Sequence, residues 1–369
     1  MAVYKLFPSK DAFIYTEEAK ANTGYDEILE LNTYPKQAIG QTSRILIQFA
    51  DSEIDDLIGN IINGSNYTAS INLSLASATE TFTSYTINAY PLSKAWDEGV
   101  GKALDNPVNK TGASWEYAGI NQTNAWITSS YATNETGSYS SNFPGGGNWY
   151  TGSGGDSLEF SYVHEAGNDL DLVLDVTTGV AKHYADEIAN NGFIIKFQDS
   201  VEFEETASFS LKYFSRNTNT IYPPCLEFKW DDSSYSTGSL SVLNSSESDI
   251  LLVNNTGNYI NDGKKRFRLH SRPKYPTRTF STASLYRTNY ALPSGSYYAI
   301  KDENTEELVI NYDTLNTKVS CDSTGPYFDI YMKGLEPERY YRVLIKTVLD
   351  GTTTIVNDHR NVFKVVRNG

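Results

Sequence analysis

Cysteine is almost absent from this chain. Two residues, Cys225 and Cys321, serve 369 positions, one in each half. That excludes a disulfide framework and leaves the expectation of two buried free thiols in a protein made in a reducing cytoplasm. Histidine is nearly as scarce: His164, His183, His270 and His359 are mutually remote, and no Cys-x-x-Cys, His-x-His or His-Glu-x-x-His spacing exists to hold zinc. Phosphate loops and nucleophile elbows are missing too, since neither Gly-x-x-x-x-Gly-Lys-[Ser/Thr] nor Gly-x-Ser-x-Gly occurs. Without these motifs the chain reads as no enzyme. A glycan-cleaving activity would need a carboxylate pair that sequence alone does not single out.

Basic residues are also short: 30 Lys+Arg stand against 45 Asp+Glu, a net charge of −15. The deficit is local. Residues 1–232 hold 13 basic against 31 acidic residues, and residues 233–369 hold 17 against 14. An acidic module followed by a mildly basic one argues against general nucleic-acid binding and permits head-to-tail electrostatic pairing. No apolar run approaches the roughly 18–20 residues that span a bilayer. The opening MAVYKLFPSKDAFIYT has no basic stretch, apolar core and cleavage site of a secretory signal. Asn-x-Ser/Thr triplets such as Asn66-Tyr67-Thr68 and Asn134-Glu135-Thr136 therefore follow from Asn, Ser and Thr richness, not from glycosylation.

Aromatics and two-residue alternation are abundant. Tyr (27), Phe (16) and Trp (5) make up 13 % of the chain, suited to half-buried pleated surfaces. Leu170, Leu172, Leu174 and Val176 lie on one face of a strand; Phe193–Phe197, Phe209–Tyr213 and Leu226–Trp230 repeat the pattern. Thr178 is placed to cap a short helix carrying Val180, Tyr184 and Ile188, and Asp51 or Ser52 to cap one carrying Ile54, Leu57, Ile58 and Ile61, stopped by Gly64. The fold expected is all-β: an N-terminal jelly-roll-like sandwich over 1–232 with short helices and a long loop insertion, a linker over 233–240, and an Ig-like sandwich over 241–369. Five alternating segments between Phe267 and Val365 support the last, as does Leu335-x-Pro337-x-x-x-Tyr341. That pattern resembles the fibronectin type III tyrosine corner, where a Tyr hydroxyl bonds back to the upstream backbone.

The stretch LDLVLDVTTGVAKHYADEIANNGFIIKF and the later PPCLEFKW resemble the DNRLRE family of carbohydrate-module-like β-sandwiches. The matching positions are Asp175, Val176, Thr177, Asn190 or Asn191, Gly192 and Pro224, with further likeness around Trp96 and upstream, over about residues 1–232. The resemblance implies a binding or structural module without catalytic residues. An Ig-like domain joined to such a module is similar to structural proteins of tailed-bacteriophage virions. It implies assembly contacts with other virion proteins, many copies in a symmetric particle, synthesis in host cytoplasm, and a place at the neck, tail or a head-attached fibre. The alternative is a carbohydrate-binding or adhesion module.

Three sets of residues carry these expectations. Trp115, Trp126 and Trp149, with Tyr117 and Tyr150, sit in the aperiodic segment Val100–Gly155. They are candidates for an interface or for stacking on sugar rings, against the plainer alternative that they pin a long loop to its sandwich. Lys264, Lys265, Arg266, Arg268, Arg272 and Lys274 form a basic run, either a docking surface for an acidic neighbour or a solvated strand edge. Asp97, Glu98, Asp156, Asp169 and Asp171 are hard oxygen ligands for a structural calcium, though no fixed-spacing loop supports one; no other cofactor is expected.

Overall fold

The two-residue alternation is realised as sheets that are largely antiparallel, and the chain is all-β with a few short helices. The computed structural model describes residues 2–33, 42–64, 66–79, 84–137, 145–153, 156–165, 170–202, 209–278 and 284–367. It falls into two compact units. One comprises Leu6–Asn63 and Thr68–Glu227; the other, Met1–Lys5, Gly64–Tyr67 and Phe228–Gly369.

In the first unit a five-stranded sheet runs Phe160–His164, Tyr85–Pro91, Phe193–Phe197, Ser43–Gln48 and Lys10–Tyr15. A three-stranded sheet orders Ile28–Thr33, Phe209–Phe214 and Leu75–Thr79. The central strands of the larger sheet are buried on both faces, which explains the unbroken apolar reading of Phe193–Phe197. Ile14, Leu46, Leu92 and Ile194 supply one face, and the loop beyond Trp96 closes over it.

The helices differ from expectation at their caps. Thr177–Tyr184 begins one residue before Thr178, with Val176 at the N-cap, and Asp175 Oδ1 accepts from Thr177 N at 3.0 Å. Val176 has no polar side chain to cap with, and the short acid before it serves the first helical amide through an Asx turn instead. The helix after Phe49 starts at Asp51 with no side-chain cap. It loosens into a π turn over Leu57–Ile62, where Asn63 N donates to Ile58 O at 3.0 Å. Asn63, left-handed at φ 49°, ends it ahead of Gly64.

The second unit packs two sheets over one core. A four-stranded sheet orders Ser248–Val253, Lys264–Pro273, Gly325–Tyr331 and Ser320–Asp322. A five-stranded sheet orders Asn258–Ile260, Thr352–Val366, Tyr340–Leu349, Tyr297–Asp302 and Leu308–Ile310, its first pair parallel. Phe267 and Phe328 from one sheet meet Tyr298, Tyr341 and Phe363 from the other; the Tyr298 and Phe328 ring centroids lie 4.3 Å apart. Tyr341 Oη donates to Glu336 O at 3.0 Å, the corner that the Leu335–Pro337–Tyr341 spacing predicts. Val3, near the chain's start, is buried in this same core.

The segment read as a linker is bonded into this unit. Tyr235 bridges to Cys321 in parallel, Cys321 N donates to Ser234 O at 2.9 Å, Ser236 N donates to Cys321 O at 3.0 Å, and Tyr235 Oη donates to Leu292 O at 2.6 Å. Polar composition signals chain without a core of its own, and here a neighbouring strand end supplies the partners. Cys225 and Cys321 are buried free thiols.

Candidate functional site

The segment expected to be an aperiodic contact loop is internally structured. It carries short antiparallel ladders, Tyr117–Gly119 with Thr123–Ala125 and Glu135–Gly137 with Asn148–Tyr150. Trp115, Trp126 and Trp149 are buried together with Trp96, so they are not exposed platforms for sugar or partner. Trp126 Nε1 donates to Ser114 O at 2.9 Å and Trp96 Nε1 to Asn191 O at 2.9 Å. Tyr117 and Tyr150 are half-buried at the margin. The tryptophans pin the loop to its own sheet: all four indoles lie in one apolar bed, and those of Trp96 and Trp126 also find carbonyl partners there.

Beneath Trp115 and Trp149 lies a buried charge network. Arg44, fully buried, presents Nε and Nη2 to Glu202 at 2.6 and 3.0 Å. Its Nη1 donates to Gly146 O, and its guanidinium lies 4.8 Å from the Trp115 ring and 5.5 Å from Trp149. Lys196 Nζ adds an ion pair to Glu202 at 2.9 Å and bonds Asp199. Burial pushes the Glu202 carboxyl up, but the Arg44 and Lys196 charges and hydrogen bonds together hold it below its ordinary value. Gly146, at φ +85°, lets the backbone run close; a Cβ there would stand 2.7 Å from Arg44 Nη1 and 2.8 Å from the Trp115 ring.

The basic run is neutralised from neighbouring strands. Lys264–Pro273 is an interior strand, not an edge. Lys264 and Arg266 both pair with Asp329, at 3.0 and 2.8 Å, Arg268 forks onto Asp322, and Arg272 meets Asp249 at 2.6 Å. The Arg268 hydrogen bonds draw the Asp322 carboxyl down to about 2. Lys265 stands opposite Ile330, and Lys274 Nζ lies 5.7 Å from the Tyr275 ring. Acids absent from the run in sequence arrive by strand pairing, so most of the expected docking charge is already matched.

Three of the calcium candidates are engaged within the chain. Asp97 Oδ2 accepts from Ile120 N, Glu98 Oε1 from Asp11 N and Arg216 Nη1, and Asp171 Oδ1 from Leu75 N. The Asp156 side chain and Asp169 lie outside the described residues. Among the described residues no three His, Cys, Asp or Glu side chains group as metal ligands.

Asp11, which the sequence did not single out, is a strongly perturbed buried carboxyl. Burial, with Glu98 adding to it, pushes it up to about 7 against the opposing bond from Arg216 N at 2.6 Å. A carboxyl protonated at neutral pH is what a general acid requires. Asp11 is only 1 % exposed, however.

Among the described residues of this unit lies a cleft of about 550 Å³. Phe13 and Tyr15 line one wall, Ile28, Glu30 and Asn32 another, and Glu17, Glu18, Asp26, Lys212 and the Ala103–Leu104 turn complete it. The turn is fixed, since Ala103 N donates to Asp26 Oδ2 at 2.8 Å. Glu30 is tied on both oxygens, to Lys212 Nζ at 2.6 Å and Asn32 Nδ2 at 3.0 Å. Burial pushes Tyr15 up to about 12, and its neighbours Glu18, Glu17, Asp26 and Glu30 add to the shift. Burial raises Asp26 as well. Four carboxylates thus face one ammonium around a tyrosine, with Leu104 96 % exposed at the rim. The alternation Ile28–Glu30–Asn32 and the Glu17–Glu18 pair were the signals for this cleft, spread too thinly along the chain to be joined without the fold. No known protein family matches the chain, and no curated protein does.

Proposed function

We propose that this chain is a non-enzymatic structural protein of a tailed-bacteriophage virion, at the neck, tail or a head-attached fibre, working through protein–protein contacts. The observation that carries the contact role is the acid-lined cleft beside Tyr15, a fixed negative concavity with an exposed apolar rim at Leu104. Such a surface favours a partner presenting Lys or Arg over a hydrophobic stem. The tryptophans and the 264–274 run, which sequence offered as contact surfaces, are engaged within their own units and leave that part to the cleft.

Mass spectrometry of purified particles should find the chain in fixed copy number. A folded Glu17→Lys, Glu18→Lys variant should enter particles poorly, and raising salt should weaken the native contact, because exposed charges are screened beyond about 8 Å at physiological ionic strength. Absence from particles, or normal incorporation of that variant, overturns the proposal. Tyr15 among carboxylates also suits a sugar ring. Glycan-array binding lost on Tyr15→Ala would favour the carbohydrate-binding reading instead.

A further inference from the structure

The hairpin closing the second unit leaves one long strand half-covered. Thr352–Val366 pairs with Tyr340–Leu349 along one side. On the other side Asn258–Ile260 reaches only Lys364–Val366. Among the described residues, no strand pairs with the outer edge from Thr352 to Arg360.

The register fixes which backbone groups are free there. Asp350 and Gly351, both left-handed at φ 49° and 70°, form a two-residue turn between Leu349 and Thr352. In such a hairpin the residues flanking the turn exchange both hydrogen bonds, and every second pair after them does the same. Thr352, Thr354 and Val356 therefore bond inward. Thr353, Ile355 and Asn357 direct N–H and C=O outward.

This edge carries none of the usual guards. Between Thr352 and Asn357 there is no Lys, Pro, Gly or bulge, and four successive residues, Thr353 to Val356, are β-branched.

We propose that this edge pairs antiparallel with the same edge of a second copy of the chain, about a two-fold axis at Ile355. The sequence is complementary to itself in that register. Ile355, 55 % exposed, meets its own copy. Thr353 falls opposite Asn357 and Thr354 opposite Val356, so the regular stretch from Thr353 to Asn357 pairs with itself without bringing any charge against another. The outward groups of Thr353, Ile355 and Asn357 then make about six intermolecular hydrogen bonds, and one sheet runs through both copies. A foreign strand would satisfy the backbone equally but would not select Ile355 as the centre. This inference does not rest on the virion reading.

Sedimentation of the full chain should show a concentration-dependent dimer. Ile355→Pro removes an amide that bonds nothing within the chain, and should weaken the dimer by at least about tenfold while the monomer stays folded. Ile355→Lys provides the same reading should proline disturb the hairpin. Register is tested by cross-linking. Ile355→Cys should form disulfide dimers on mild oxidation, since paired Cα atoms lie about 5.5 Å apart across such a site. Thr353→Cys and Asn357→Cys should each fail alone and cross-link when mixed. A chain monomeric at all concentrations, a dimer indifferent to both Ile355 changes, or equal cross-linking at all three positions overturns the proposal.

Discussion

At the residue scale, two buried carboxylates show how burial is resolved in opposite ways. Glu202 keeps its charge because Arg44 and Lys196 surround it. Glu202→Gln would leave two buried cations short of a counter-charge, and chemical denaturation should register a loss of about 3–5 kcal/mol. Replacing Arg44 and Glu202 together by Met and Leu should cost less than Glu202→Gln alone, which a double-mutant cycle would measure. Asp11 instead gives its charge up. Its folded value, about 7, lies above the ordinary 3.8, so the folded state holds a proton that the unfolded chain releases. Its contribution is therefore whole below about pH 4 and declines as pH rises toward 7. Asp11→Asn should remove that slope, leaving the variant the more stable by up to about 4 kcal/mol at pH 8 and matched to wild type near pH 4. A denaturation series across pH 4–8 reads this directly. Neither network was legible in the sequence, because Arg44 and Glu202, or Asp11 and Arg216, are more than 150 positions apart and meet only in the folded chain.

At the element scale, strand positions were legible wherever one face is wet, as in Leu172–Asp175, whose alternate residues are buried and exposed. The Leu335–Pro337–Tyr341 corner was legible for another reason: its hydrogen bond is local. The Val100–Gly155 segment was misread because its apolar residues follow no period. They are spaced by the sheet face that they cover, and the order this imposes is measurable. Indole N–H groups of Trp96 and Trp126 should exchange slowly in the isolated protein, without any partner. Trp115→Ala should lower stability by about 3–5 kcal/mol through a cavity over Arg44, seen as a fall in melting temperature. The segment read as a linker is hydrogen-bonded to a strand end that its own composition does not announce, and the amides of Cys321 and Ser236 should likewise be protected.

At the scale of the whole molecule, the second unit is built from separate stretches of chain. Val3 packs in the core that Met332 and Phe363 share, and Tyr4 meets Tyr331 with ring centroids 5.6 Å apart. Val3→Ala should therefore destabilise a domain whose main body begins at Phe228, by about 1.5–3 kcal/mol from the two lost methyl groups. The Met332 methyl resonance, buried in that core, is the reporter, and an unshifted unfolding midpoint at that signal would show Val3 to be dispensable there.

That discontinuity also sets an order of events during synthesis. Met1–Lys5 leaves the ribosome before residues 6–227, yet the body of its core follows them. At about 5–20 residues per second, residues 6–227 take roughly ten to forty seconds to follow. Through that interval Val3 and Tyr4 wait without their core while the other unit completes itself. The second unit closes only when its final strand has emerged, so the nascent chain matures at the pace of translation, whereas a chain diluted from denaturant has both ends at hand from the start.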